Sequence, residues 1–198
     1  MPRDFGLKSA LALGLELKPR GNDSCFPALE QRIDWLESRE AIRNLVSRYG
    51  VLIDARDLDA LTALFTDDVR VTRTEQGHEA MRVLLEGLVR QFTTSIHFVG
   101  NHTIDFVDSD HANGVVYCRA EHEVGDQWIV MAIQYWDRYE RRDGAWLFSG
   151  RKVKHWYSVD MLERPTGPNK TRWHPAGTEA TIPTDYPSCG KFWSGSTP

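Results

Sequence analysis

Five residues combine acid–base side chains with spacings that regular secondary structure can bring to one place: Tyr49, Asp54, His97, Arg151 and His155. Asp54 closes an apolar stripe in which Ile42, Leu45, Val46, Tyr49, Leu52 and Ile53 recur at intervals of three and four, one face of an amphipathic helix. Tyr49 precedes it by five residues, about 140° round a helix, so both can border one cavity. On that segment alone the acid reads as a surface residue or a helix cap. His97, in SIHFVGN, starts a strand-like run. A lone strand histidine is ordinarily packed or hydrogen-bonded, yet imidazole titrates near neutrality and becomes a general base when a carboxylate orients it. If the helix packs across that strand, Asp54 is the partner. By accepting from one ring nitrogen it would fix the tautomer and stabilise the imidazolium that forms.

On the last strand, period-two alternation sets Leu147, Ser149, Arg151, Val153, His155 and Tyr157 on one face and Phe148, Gly150, Lys152, Lys154 and Trp156 on the other. Inward lysines without partners are costly, so the first set is expected to face the helices. Arg151 and His155 then line the same pocket as His97. On the middle strand Val116, Cys118, Ala120 and His122 make a small, mostly apolar face with room for a ligand, opposite the polar Tyr117, Arg119, Glu121 and Glu123. His78, His102, His111 and His174 are read as structural or surface residues. No HxxxH, HExxH, CxxC or CxxH spacing occurs, so no metal site is expected. Glycine-rich phosphate loops and a GxSxG elbow are also absent, and no cofactor is expected. Cys118 reads as packing rather than nucleophile.

The elements that must position these groups run helices first, strands after. Leu29, Ile33 and Leu36 predict a short amphipathic helix leading into the Ala41 helix, with Ser38 as its cap. Leu61, Leu64 and Phe65 resume the stripe in a second short helix, and VRVTRT (69–74) alternates as a strand does. His78 to Phe92 reads as a third helix. Strands are expected over 95–107, with a bulge near Gly100-Asn101, then over 114–124, 128–140 and 145–157. Asp143-Gly144 marks the last hairpin. The plan is α+β: a long antiparallel or mixed sheet curling around N-terminal helices. Residues 1–27 read as an N-terminal extension, 28–160 as the domain, and 161–198 as a structure-poor Pro/Gly-rich tail whose aromatics favour packing on something.

Composition narrows the class. The 198 residues are 41% hydrophobic and 26% charged, the size of one domain with tails. A net charge of −4 gives no general attraction to nucleic acid or an acidic membrane. Cys25, Cys118 and Cys189 are few, odd in number and scattered, which suits a reducing, cytoplasmic compartment rather than a disulfide framework. No run is long enough for a membrane span, and no secretory leader is expected over 9–17.

Three segments together, AIRNLVSRYGVLIDARDLDALTALFTDDV, SIHFVGNHTIDF and YWDRYERRDGAWLFSGRKV, resemble the SnoaL-like branch of the nuclear-transport-factor-2-like superfamily, the cone-shaped α+β barrels. The likeness covers roughly 29–157, and it is nearest to the group of hexachlorocyclohexane dehydrochlorinase, scytalone dehydratase and bile-acid 7α-dehydratase. That resemblance implies a histidine–aspartate dyad at His97 and Asp54. It matches Tyr49 to a tyrosine of the bile-acid enzyme and Arg151 to a last-strand arginine of the dehydrochlorinase. A second arginine of the bile-acid enzyme falls on His155, a departure. The implied function is a cofactor-independent lyase, a dehydratase or dehydrohalogenase, acting on a small hydrophobic ring-bearing substrate. The alternatives are an isomerase or cyclase using the same dyad, a non-catalytic carrier of small hydrophobic ligands, or a structural subunit of a larger oxygenase. A homo-oligomer, dimer or trimer, is expected from the open sheet faces of this fold.

Overall fold

The computed structural model describes residues 29–173 and 179–194; the expected N-terminal extension, Cys25 and His174 lie outside them. Helix α1 (Leu29–Ala55) is one uninterrupted run, with Ile42, Leu45, Val46, Tyr49 and Ile53 on its buried face. The expected break at Ser38 does not occur. Glu37, Arg39, Glu40 and Ala41 all favour helix, and Ser38 lies buried within it. The helix ends where Arg56 turns to φ +61. There its N–H donates to Ile53 O (3.2 Å) and the Asp57 N–H to Leu52 O (3.1 Å), the paired bonds of a Schellman C-cap. Asp57 then caps α2 (Leu58–Thr62) by accepting from Ala60 N at 3.1 Å. Helix α3 (Gly77–Val89) buries Met81, Leu85 and Val89.

The strand expected over 69–74 is replaced by a turn. Val71 and Thr72 both donate to Glu75 O, and Arg70 bridges only to Gln76 within the same loop. Alternation makes a strand only where another strand lies alongside to satisfy its backbone.

Strands β1 (Thr94–Phe106), β2 (His111–Val124), β3 (Gln127–Arg142) and β4 (Ala145–Asp160) form an antiparallel meander in sequence order. Asp143 and Gly144, with φ of 50° and 79°, close the β3–β4 hairpin. Helix α1 packs on both edge strands, β1 and β4, so the sheet wraps around it. A bulge between Val99 and His102 puts Ser95, His97, Val99, His102, Ile104 and Phe106 on the inner side of β1.

Two register shifts between β3 and β4 correct the period-two reading of the last strand. Phe148 pairs with Tyr139 and Arg151 with Asp137, both inner residues of β3, so the turnover falls at Ser149. Past a second irregularity at Trp156, Tyr157 pairs with Ala132 on the outer side and Ser158 with Met131 on the inner. Arg151, Val153 and His155 face inward as expected; Phe148 joins them, and Leu147 and Tyr157 do not. Each bulge inserts one residue and reverses every side chain beyond it.

The tail is also more ordered than its Pro/Gly content suggests. Ser158 N–H donates to Lys170 O, and its hydroxyl donates to Trp173 O at 2.6 Å. Ile182 is buried, and its N–H reaches His155 O. Tyr186 donates to Gln134 Oε1 at 2.7 Å, and Lys154 pairs with Asp185 at 2.6 Å. Residues 182–186 thereby cover the outer side of β3 and β4, whereas 170–173 run along the β4 edge and bring Trp173 to the inner side; the tail ends in α4 (Pro187–Ser194). No helix among the described residues is long and apolar enough to cross a membrane.

Candidate active site

The last turn of α1 lies against the first residues of β1. Gly50, one turn before Asp54, brings the helix close: a Cβ there would sit 3.6 Å from the His97 Cβ. That approach puts Asp54 over the start of the strand, where it accepts three bonds. The His97 ring meets it through Nδ1, at 2.7 Å from Oδ1, and the His97 backbone N–H donates to Oδ2 at 2.8 Å. The Ser95 hydroxyl donates to Oδ1 at 3.0 Å. Burial pushes the Asp54 carboxyl up, but the bonds from His97 and Ser95 outweigh it and hold the group below its ordinary range. An ionised Asp54 accepts the Nδ1 proton of His97, so in the neutral ring Nε2 carries the lone pair.

His122 stands on the inner side of β2, its Cα paired with Ser95 across the sheet. Its ring lies 5.5 Å from that of His97, edge to face, and stacks on Phe92 at 4.0 Å. Trp173, delivered by the tail, packs on Phe92 at 5.5 Å and reaches His122 at 6.4 Å. Burial holds the His122 imidazole down to about 4, and His97 beside it pushes the same way. Sequence reading put this residue on the ligand-facing side of its strand without placing it beside His97. Counting register back from the turn at Asp108 to Asp110 sets residue 122 opposite 96, and the one-residue bulge near Gly100-Asn101 moves its partner to 95.

Tyr49 and Arg151 meet one another rather than the dyad. The Arg151 guanidinium lies 4.0 Å from the ring centres of Tyr49 and Tyr135 and 4.3 Å from Phe148. Its Nε and Nη2 donate to the two Asp137 oxygens at 2.8 and 2.7 Å, both side chains almost wholly buried. Nη1, also buried, has no hydrogen-bond partner. Tyr139 donates to Asp137 at 2.9 Å and is itself 3.1 Å from His102 Nε2. Burial raises the Tyr49 phenol, with Arg151 opposing it, and lowers His102 to about 4. Cys118 lies between the two groups, its thiol pushed up to about 11 by burial and softened by a bond from Tyr135. His155 is buried further along β4, where the tail bridges to it at Ala180. Among the described residues no three His, Cys, Asp or Glu side chains gather as a metal-ligand set.

A helix held inside a curled four-stranded antiparallel sheet is the arrangement of the NTF2-like α+β cones. Within that class the chain belongs to the SnoaL-like domain family, which it matches over residues 34–152. It is 34% identical over 128 residues to gamma-hexachlorocyclohexane dehydrochlorinase of Sphingobium indicum, covering 61% of this chain and 82% of that protein. The crystal structure of LinA superposes with a TM-score of 0.61 at 29% identity, covering 69% of this chain and 98% of that one. A putative scytalone dehydratase from Novosphingobium aromaticivorans gives 0.60 at 27% identity, over 67% and 93%. Homology to dehydrochlorinases, which are lyases, places the chain among enzymes of that type.

Proposed function

We propose that this protein is a cofactor-independent lyase that eliminates halide or water from a small, hydrophobic, ring-bearing substrate, with His97 as general base and Asp54 as its orienting carboxylate. The observation that carries the reading is the 2.7 Å contact between His97 Nδ1 and an Asp54 pinned by the His97 backbone N–H. His97 Nε2 takes a proton from carbon. The C–H electron pair becomes the new double bond, and the leaving group departs from the adjacent carbon with its own pair. Asp54 stabilises the imidazolium formed. His122, neutral because of its burial, can donate a hydrogen bond to the leaving group without competing for the proton. The unspent Nη1 of Arg151 is the other donor available to negative charge developing inside the cone.

The dehydrochlorinase relatives recommend polychlorinated cyclohexanes as the first compounds, with hydroxylated rings as the dehydratase counterpart. Incubation with such a panel should release chloride or water together with an alkene. Saturable binding of panel members without turnover would mark a carrier instead. Self-association, which we also propose, is supported by exposed Ile96, Phe98 and Tyr117 on the outer sheet side and by Phe192 and Trp193 on α4. Sedimentation velocity reporting a monomer at micromolar concentration would remove that proposal.

A further inference from the structure

Two side chains behind the dyad take no part in the elimination as written. Ser95, buried at the start of β1, has its oxygen between Asp54 and Arg56: it donates to Asp54 Oδ1 at 3.0 Å and accepts from Arg56 Nη1. A guanidinium has donors and no acceptor. The Arg56 contact therefore occupies a lone pair of the Ser95 hydroxyl and directs its hydrogen to the carboxylate. Arg56 also donates to Ile53 O at 2.9 Å and reaches Phe92 O at 3.5 Å, tying the end of α1 to the segment that stacks on His122. Its backbone is independently unusual. At φ +61 it holds the left-handed C-cap position that glycine normally takes, a conformation unfavourable for any residue with a Cβ. Backbone strain of this kind persists where the surroundings over-determine it, and it clusters at functional sites.

We propose that Arg56 and Ser95 are positioning residues for the Asp54–His97 pair, the outer half of a four-membered chain Arg56–Ser95–Asp54–His97. The proposal rests on the reading of that pair as the general base. In this chain the guanidinium fixes the hydroxyl, and the hydroxyl fixes the carboxylate. With Oδ1 shared between Ser95 and the His97 ring, and Oδ2 bound to the backbone, Asp54 has one orientation. It also stays ionised, so a proton taken at Nε2 remains on the imidazole and the Nδ1 proton is not surrendered. The other titratable groups facing the pair are His122 and Cys118, both from β2, with Arg151 of β4 beyond Cys118. They are unchanged in the variants below.

The test uses the full chain and needs no substrate. Carboxyl ¹³C NMR would follow the titration of Asp54, and the low-field proton resonance of His97 Nδ1 would report the hydrogen bond. Arg56→Gln and Ser95→Ala should each raise the Asp54 midpoint, by roughly half a unit or more, and weaken or broaden the Nδ1 proton signal. The double variant should shift less than the sum of the singles, because the two residues act as one chain. Ser95→Thr, which keeps the hydroxyl, should restore the wild-type midpoint; if Arg56→Gln fails to fold, the Ser95 pair decides. An Asp54 midpoint unmoved by Ser95→Ala, or strictly additive shifts, would overturn the proposal. Failure of the general-base reading would show separately, as elimination activity surviving His97→Ala.

Discussion

Among the described residues two histidine–aspartate pairs are alike at the level of atoms. His97 Nδ1 meets Asp54 Oδ1 at 2.7 Å, and His111 Nδ1 meets Asp108 Oδ1 at 2.9 Å. Everything around them differs. The second pair is local, three residues apart in the β1–β2 turn, where Asp108 also accepts from the backbone of Asp110 and His111. Both its side chains are 53% exposed, and its carboxyl is lowered by those bonds with almost no burial against it. The first pair joins elements 43 residues apart, with side-chain exposures of 8% and 26%, and its bonds must overcome burial before they lower the acid. In water a charged pair is worth little, and its imidazole meets only solvent. In a protein wall the same contact fixes a tautomer and holds the ring in one orientation. Contact alone does not make a general-base pair; the role proposed for His97 and Asp54 rests on the company of Ser95, His122 and an inward-curling sheet.

The sharpest way to break this contrast is to remove the orienting acid in each pair. Asp54→Asn should lower kcat for elimination by about 10²–10⁴-fold, because an amide can hold the ring in the wrong tautomer. Asp108→Asn should leave kcat at the wild-type value in the same assay. A second effect separates buried from exposed imidazoles. His122 and His102 are both lowered to about 4 from an ordinary value of 6.5. Between those limits the unfolded chain binds protons that the folded chain refuses, so stability is fully present above about pH 6.5 and falls as pH drops toward 4. The slope should approach ~1.4 kcal/mol per pH unit for each histidine. Urea unfolding at pH 7, 6 and 5 would measure it, and His122→Gln should lessen the slope. Asp54 acts at the acid end with the opposite shift. Its folded value is depressed, so its stabilisation is present above the ordinary carboxylate range and is lost as pH falls through the folded value. The smallest effect expected is that of His111→Ala, which should change neither kcat nor the unfolding midpoint detectably.

Much of this arrangement was legible in the chain, and the rest had identifiable reasons to be hidden. Amphipathic spacing revealed α1 and its buried face, whereas the residues alone favoured ordinary readings of Asp54 and His97, and the family resemblance singled them out as a pair. The α1 break was misread because Ser38 has capping chemistry, although its neighbours continue the helix. VRVTRT alternates, but the absence of a pairing strand overrode its pattern. Bulges at Ser149 and Trp156 shift register by single residues, and no period-two count detects them; Phe148 was therefore assigned outward, whereas it packs on Phe65 in the core. Lys154 was correctly expected to face outward, but its partner there, Asp185, lies in a tail whose composition suggested little structure. Arg56 and Ser95 were invisible for a deeper reason: neither has a spacing signature, and their meeting depends on how the end of α1 docks on β1.

The central claim is most directly tested by comparing His97→Ala with His111→Ala in one elimination assay, on whichever ring compound of the panel the wild-type protein turns over fastest. The account predicts a loss of about 10²–10⁴-fold in kcat for His97→Ala and wild-type turnover for His111→Ala, with both variants folded by circular dichroism. Comparable activity in the two variants, or a His97→Ala protein that still eliminates at the wild-type rate, would contradict it.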